Sequence, residues 1–256
     1  MNYNRCYLSG LIICGVLWGF SAASANVVGT TVTYSNIEES SGTDATPLYY
    51  TPVASGDTLN FDPVFTAFAD GSSGNASEMT SGRISFDIQA STGNAINGLQ
   101  FLERGNYSLL SFGNAALADV SATLFIEVLE VDGAALLSPA NDDAAMMFDP
   151  ASDGQFLYNS FGISDGSWTG NTSFDLNALL SASGISYSNG VTKVHVELAN
   201  TLLAMAQTDS QAHIAIQDLQ VVSTTSSMAS IPEQASLVML SGMGSVILFI
   251  RRYFIM

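Results

Sequence analysis

Basic residues are scarce in this chain. Six lysines and arginines stand against 23 aspartates and glutamates in 256 residues. Arg5, Arg251 and Arg252 lie near the ends, so residues 26–230 keep only Arg83, Arg104 and Lys193 against 22 acids, a balance of −19. Nucleic-acid binding depends on cations that neutralise phosphates, and a body of this sign excludes it and repels anionic headgroups. Cysteine is nearly absent as well. Cys6 and Cys14 are the only two, and a chain that loses its first 25 residues has no disulfide, thiolate nucleophile or cysteine metal ligand. The histidines are His195 and His213 alone, and no H-E-x-x-H or Walker pattern occurs. Only 11% of residues are charged while 47% are hydrophobic, which excludes a disordered acidic chain. A body of about 200 residues can bury one core of its own.

What is present repeats with period two. Val28–Tyr34 is rich in Val and Thr, and Arg83–Gln89, Lys193–Leu198 and His213–Gln217 alternate apolar with polar residues. Val120–Val131 alternates less strictly. Shorter strands are expected at Leu48–Thr51, Phe65–Ala69, Ile96–Leu102, Tyr107–Phe112, Phe156–Phe161, Ser167–Phe174 and Leu219–Val222. Turn signals such as Asp70-Gly71, Asp132-Gly133, Asp153-Gly154, Asp165-Gly166 and Asn189-Gly190 separate them. One helix is expected over Asp175–Ala182, with Asp175 as its N-cap. Many short strands without helical crossovers predict an all-β chain, an antiparallel β-sandwich or jelly roll, over residues 26–222.

The two ends carry addresses. Arg5, the apolar run Leu8–Phe20 and the small-x-small step Ala23-Ser24-Ala25 before Asn26 read as a signal peptide over residues 1–25. Neither Cys6 nor Cys14 sits in a lipoprotein context. At the other end, Ser223–Ser230 is rich in Ser and Thr and reads as a linker. Ile231-Pro232-Glu233 follows, then Ala235–Ile250 without charge or proline, then Arg251-Arg252. As a helix Ala235–Ile250 would span about 24 Å, short of a hydrocarbon core of about 30 Å unless Tyr253–Met256 and snorkelling arginines extend it. The positive-inside rule puts the arginines in the cytoplasm and the body outside.

A leader, a globular body and a terminal Pro-Glu step, apolar segment and arginine pair resemble the PEP-CTERM sorting proteins of Gram-negative bacteria. Pro232 and Glu233 match the first two motif positions, Leu237–Ile250 the helix and Arg251-Arg252 the basic end. Gln234 stands where the family usually carries a second proline, and Tyr253–Met256 follow the arginines. The resemblance implies a sorting tail over residues 231–256 with a single transmembrane helix. It also implies an exosortase-like processing partner, export across the inner membrane, and membrane anchoring followed by cell-surface or matrix delivery. The order of features from Gly166 to Val222 is also similar to the jelly-roll bodies found among such proteins.

The candidate chemistry of the body is sparse. His195, Glu197 and His213 could share a sheet face as a zinc or acid–base set, although solvent-facing histidines are the plainer expectation. Asp142, Asp143, Asp149 and Asp153 offer the oxygen ligands calcium prefers, without EF-hand spacing. Trp168, with Tyr158 and Tyr107, is the candidate stacking platform for a sugar ring, which requires Trp168 at the surface. A hydrolase would need two carboxylates across a groove, and the sequence favours no pair. The expectation is a non-enzymatic exported surface or extracellular-matrix protein without a cofactor. The alternative is a carbohydrate-binding module acting on exopolysaccharide.

Overall fold

The computed structural model describes residues 26–228; the expected leader and sorting tail lie outside them. The chain runs through β1 (Val27–Val28), β2 (Val32–Ser41), β3 (Val53–Ser55), β4 (Thr58–Phe61), β5 (Thr66–Asp70), β6 (Ala76–Ala90) and β7 (Asn94–Phe112). It continues through β8 (Ala116–Val131), β9 (Ala134–Ala145), β10 (Met147–Asp149), β11 (Gln155–Tyr158) and β12 (Phe161–Asp175). Among the described residues one short helix, α1 (Leu176–Ala182), precedes β13 (Val191–Ala206) and β14 (Ser210–Ser227). Every strand pairing is antiparallel. The all-β, antiparallel expectation therefore holds, and among the described residues no helix is long and apolar enough to cross a membrane.

Two layers build the body. The first runs β1-β2-β6-β13-β8, with β9 and β11 both on β8. The second runs β10-β12-β7-β14, with β5 and β4 on the far side of β14 and β3 on β4. The layers meet in backbone pairing only at Val191↔Ile96, where β13 touches β7. Alternation explains each layer. β13 turns Val194, Val196, Leu198, Leu202 and Ala204 inward and Lys193, His195 and Glu197 outward. β14 does the same with Ile214, Ile216, Leu219 and Val221. β13 packs against β14 and β5 across the interior, and Tyr34, Phe86, Phe61, Tyr49 and Phe65 form a chain of ring contacts at 5.4–6.3 Å.

The strands are longer than their apolar patches suggest. Ile96–Leu102 and Tyr107–Phe112 are one strand, β7, because Gly105 lets the indole of Trp168 lie against the backbone. A Cβ at Gly105 would sit 2.3 Å from that ring. β14 runs on to Ser227, paired with β7 as far as Asn94, so Ser223–Ser227 belong to the sheet instead of to a linker. Leu48–Thr51 is not a strand. Leu48 and Tyr49 are buried in a loop whose amides donate to the Glu39 carboxylate, so core packing, not pairing, uses their apolar side chains. Phe156–Phe161 breaks at Asn159-Ser160, and β11 and β12 then join opposite layers. The helix matches expectation, with the Asp175 carboxylate accepting from the Ala178 amide at 3.0 Å. Asp132 and Gly133, at φ 53° and 78°, make the two-residue turn between β8 and β9.

Candidate functional site

The expected sugar platform is not assembled. Trp168 is 1% exposed, set edge-on to Phe148 at 5.6 Å between ring centres, and offers no ring face to solvent. The inward phase of β12 at that position is responsible, since Gly105 opposite leaves a slot only the indole fills. Tyr107 stacks on Phe156 at 4.2 Å and 14°, while the Tyr158 hydroxyl donates to the Phe161 carbonyl at 3.3 Å. Both tyrosines thus close the side of the sandwich near β11.

The calcium candidates also stay apart. Asp142 and Asp143 are neighbours on β9, and the pleat turns them to opposite faces. Asp149 lies on β10, and Asp153 sits in the following turn, where it accepts from the Gln155 amide at 3.2 Å. Among the described residues no group of three or more His, Cys, Asp or Glu side chains is placed to hold a metal.

His195 and His213 occupy opposite outer faces, on β13 of the first layer and β14 of the second. His195 belongs to a closed polar cluster. Its Nδ1 lies 2.8 Å from one oxygen of Asp87. The other Asp87 oxygen accepts from Asn36 Nδ2 at 2.9 Å and faces Lys193 Nζ at 3.2 Å. Burial pushes the Asp87 carboxyl up, but hydrogen bonds from His195, Asn36 and Lys193 outweigh it and leave the group below its ordinary value. Glu197 instead pairs with Arg83 at 3.3 Å.

A second carboxyl lies in the dry interior. Glu103 is fully buried on β7 and reaches across the sandwich, where its Oε1 accepts from Asn200 Nδ2 at 2.6 Å. Its Oε2 and the Asn200 Oδ1 have no partner. Loss of solvation outweighs that hydrogen bond and pushes the Glu103 carboxyl up to about 7. A protonated Glu103 carries the donor that the Asn200 Oδ1 lacks. The Tyr49 hydroxyl nearby donates to the Gly82 carbonyl at 3.2 Å, and burial raises that phenol too.

The outer face of the second layer holds an open groove of about 500 Å³. Three strands supply its polar rim: Asn106 and Ser108 from β7, Asp165 and Ser167 from β12, His213 and Gln217 from β14. The register aligns them, with Asp165, Ser108 and His213 in one cross-strand row and Ser167, Asn106 and Ala215 in the next. Gln217 falls at a register shift between Ile216 and Asp218, a bulge that leaves it unpaired and exposed on this face. Tyr107 and Gly166 alternate to the inner side, so their backbone forms the floor. Next to His213 in the row stands Phe68 of β5, half exposed, its ring centre 6.4 Å from the imidazole. Sequence reasoning put its members in separate expectations, His213 in a metal set, Tyr107 in a sugar platform and Asp165-Gly166 in a turn that is in fact part of β12. Nothing in the pattern joins residues spread over 106–217 into one face.

No protein-family model and no curated protein matches the chain. Among solved structures it is similar to TmCBM61 in complex with β-1,4-galactotriose, at 10% identity and a TM-score of 0.18, over 74% of this chain and 89% of that one. It is similar to the winged bean acidic lectin complexed with methyl-α-D-galactose, at 11% identity and a TM-score of 0.20, over 65% and 99% of the two chains. The infectious bursal disease virus Gx strain structure aligns at 15% identity and a TM-score of 0.19, over 76% of this chain and 48% of its own. Likeness at these TM-scores decides nothing about fold or ligand, and any role for the body rests on its own residues.

Proposed function

We propose that this protein is a non-enzymatic surface or extracellular-matrix protein, exported by residues 1–25 and sorted through residues 231–256 by an exosortase-type enzyme. Its body is a jelly-roll-like antiparallel sandwich that stands outside the inner membrane, anchored first by the apolar segment Leu237–Ile250. The observation that carries this reading is the order of parts on one chain. An apolar leader ends at Ala23-Ser24-Ala25, an acidic β body follows, and Pro232-Glu233, an uncharged run and Arg251-Arg252 close it. The acidic surface suits a domain held away from anionic headgroups.

Intact mass and fractionation of the protein from its native host test this. The expected result is loss of residues 1–25 and of the tail near Pro232-Glu233, with the product in the surface or matrix fraction. A chain that keeps both ends and stays in the cytoplasm overturns the reading. An uncut tail in the membrane fraction overturns the sorting step and leaves a tethered ectodomain.

A further inference from the structure

We infer that the groove on the outer face of the second layer is a binding site for a neutral, hydroxyl-rich saccharide. Its rim combines two side-chain amides (Asn106, Gln217), two hydroxyls (Ser108, Ser167), one imidazole (His213) and one carboxylate (Asp165). Such a mixture of donors and acceptors complements vicinal hydroxyls, each of which donates and accepts at once.

Three further observations select this ligand class. The rim carries no lysine or arginine. Arg104, the next outward residue along β7, stands in register with the acidic Asp218, and the body around is strongly acidic, so phosphate, sulfate and uronate groups find no net positive charge. A basic peptide would find one carboxylate among neutral groups, too little charge for its several cations. Asn106 then gives the site its polar demand. Its Oδ1 is shut off from solvent and has no hydrogen-bond partner, an arrangement that costs about 1–3 kcal/mol when left unmade. That cost is relieved when the Asn106 side chain turns outward into the groove, where a ligand hydroxyl supplies the missing donor. Phe68 completes the site, because its half-exposed ring beside His213 offers an apolar flank for the C–H side of a sugar ring. The groove volume of about 500 Å³ lies within the range typical of small-ligand sites.

This site is independent of the export reading, and its test does not use the tail. The full chain is run by affinity electrophoresis through gels containing galactan, dextran or xylan, with anionic polygalacturonate as the contrast. Retardation by at least one neutral polysaccharide and none by polygalacturonate is expected. Asp165→Asn and Phe68→Ala should each weaken that retardation at least tenfold, while the unfolding midpoint, checked by circular dichroism, stays within a few degrees of wild type. Asn106→Ala should weaken binding and leave the fold intact, because it removes an unpartnered acceptor. Arg83→Ala, on the opposite face, should bind as wild type. No retardation by any of the three neutral polymers, retardation by polygalacturonate, or retardation unchanged in Asp165→Asn and Phe68→Ala overturns the inference.

Discussion

Asp87 and Glu103 are both buried carboxyls, yet they are opposites. Asp87 sits under the outer face of the first layer with an amide, an ammonium and an imidazole around its two oxygens. Glu103 sits between the layers with one amide for company. Desolvation acts on both, and the count of partners decides the outcome: three hold Asp87 ionised, and one fails to hold Glu103. The pair teaches that depth alone does not set the state of a carboxyl. Among the described residues the cations, Arg83, Arg104 and Lys193, all stand on the outer faces, and none reaches the core.

The sharpest way to break the contrast is to remove the one partner Glu103 has. Asn200→Ala should cost about 3 kcal/mol at pH 8, the upper end for a hydrogen bond to a charged group, as a shift of the urea midpoint. A loss under 1 kcal/mol would mean that Glu103 does not depend on Asn200.

The pH dependence comes next. Below the unfolded value near 4.5 Glu103 is protonated in both states and costs nothing. Between 4.5 and about 7 the unfolded chain releases the proton that the folded chain keeps, so stability falls as pH rises. Above about 7 the full cost of about 3 kcal/mol is reached. Glu103→Gln should therefore raise stability by about 2–3 kcal/mol at pH 8 and leave it unchanged at pH 4. Urea titrations of both proteins across that range check this, and parallel curves would disprove the assignment.

Asp87 runs the other way. Its folded value lies below the ordinary one, so its stabilisation is complete above the unfolded value and disappears as pH falls through the folded one. Asp87→Asn should cost about 2 kcal/mol at pH 7, in line with charge-assisted hydrogen bonds, and nothing in strong acid. The smallest effect marks the limit of the comparison. Arg83→Ala breaks a mostly exposed pair with Glu197 and should change the unfolding free energy by less than about 0.5 kcal/mol.

The outer-face alternation of β6 and β13 was legible because one period-two pattern lies on each strand. So was the helix at Asp175, where a carboxylate precedes a short apolar run. The Glu103–Asn200 pair was not. The polar stretch Glu103-Arg104-Gly105-Asn106 reads as an interruption between two strands, and only the indole across Gly105 and an amide 97 positions away turn it into strand. β9 escaped for a related reason. Its sequence has no alternation and contains Pro139, and it is a strand only because β8 offers it an edge. The groove was hidden because three strands far apart in sequence and one bulge assemble it. Trp168 shows the converse failure, in which residue type suggested a surface role and the phase of β12 put the ring inside.

That buried indole has a practical consequence. Between residues 26 and 256 Trp168 is the single tryptophan, so in a chain freed of its first 25 residues all indole emission comes from one point. The ring lies against Phe148 and the backbone at Gly105, where β12 crosses β7. Its light therefore reports whether those two strands are still joined. A red shift signals their separation, and quenchers that reach the groove but not the interior should leave the signal untouched. The fold carries its own optical gauge of integrity, placed away from the face proposed to meet saccharide.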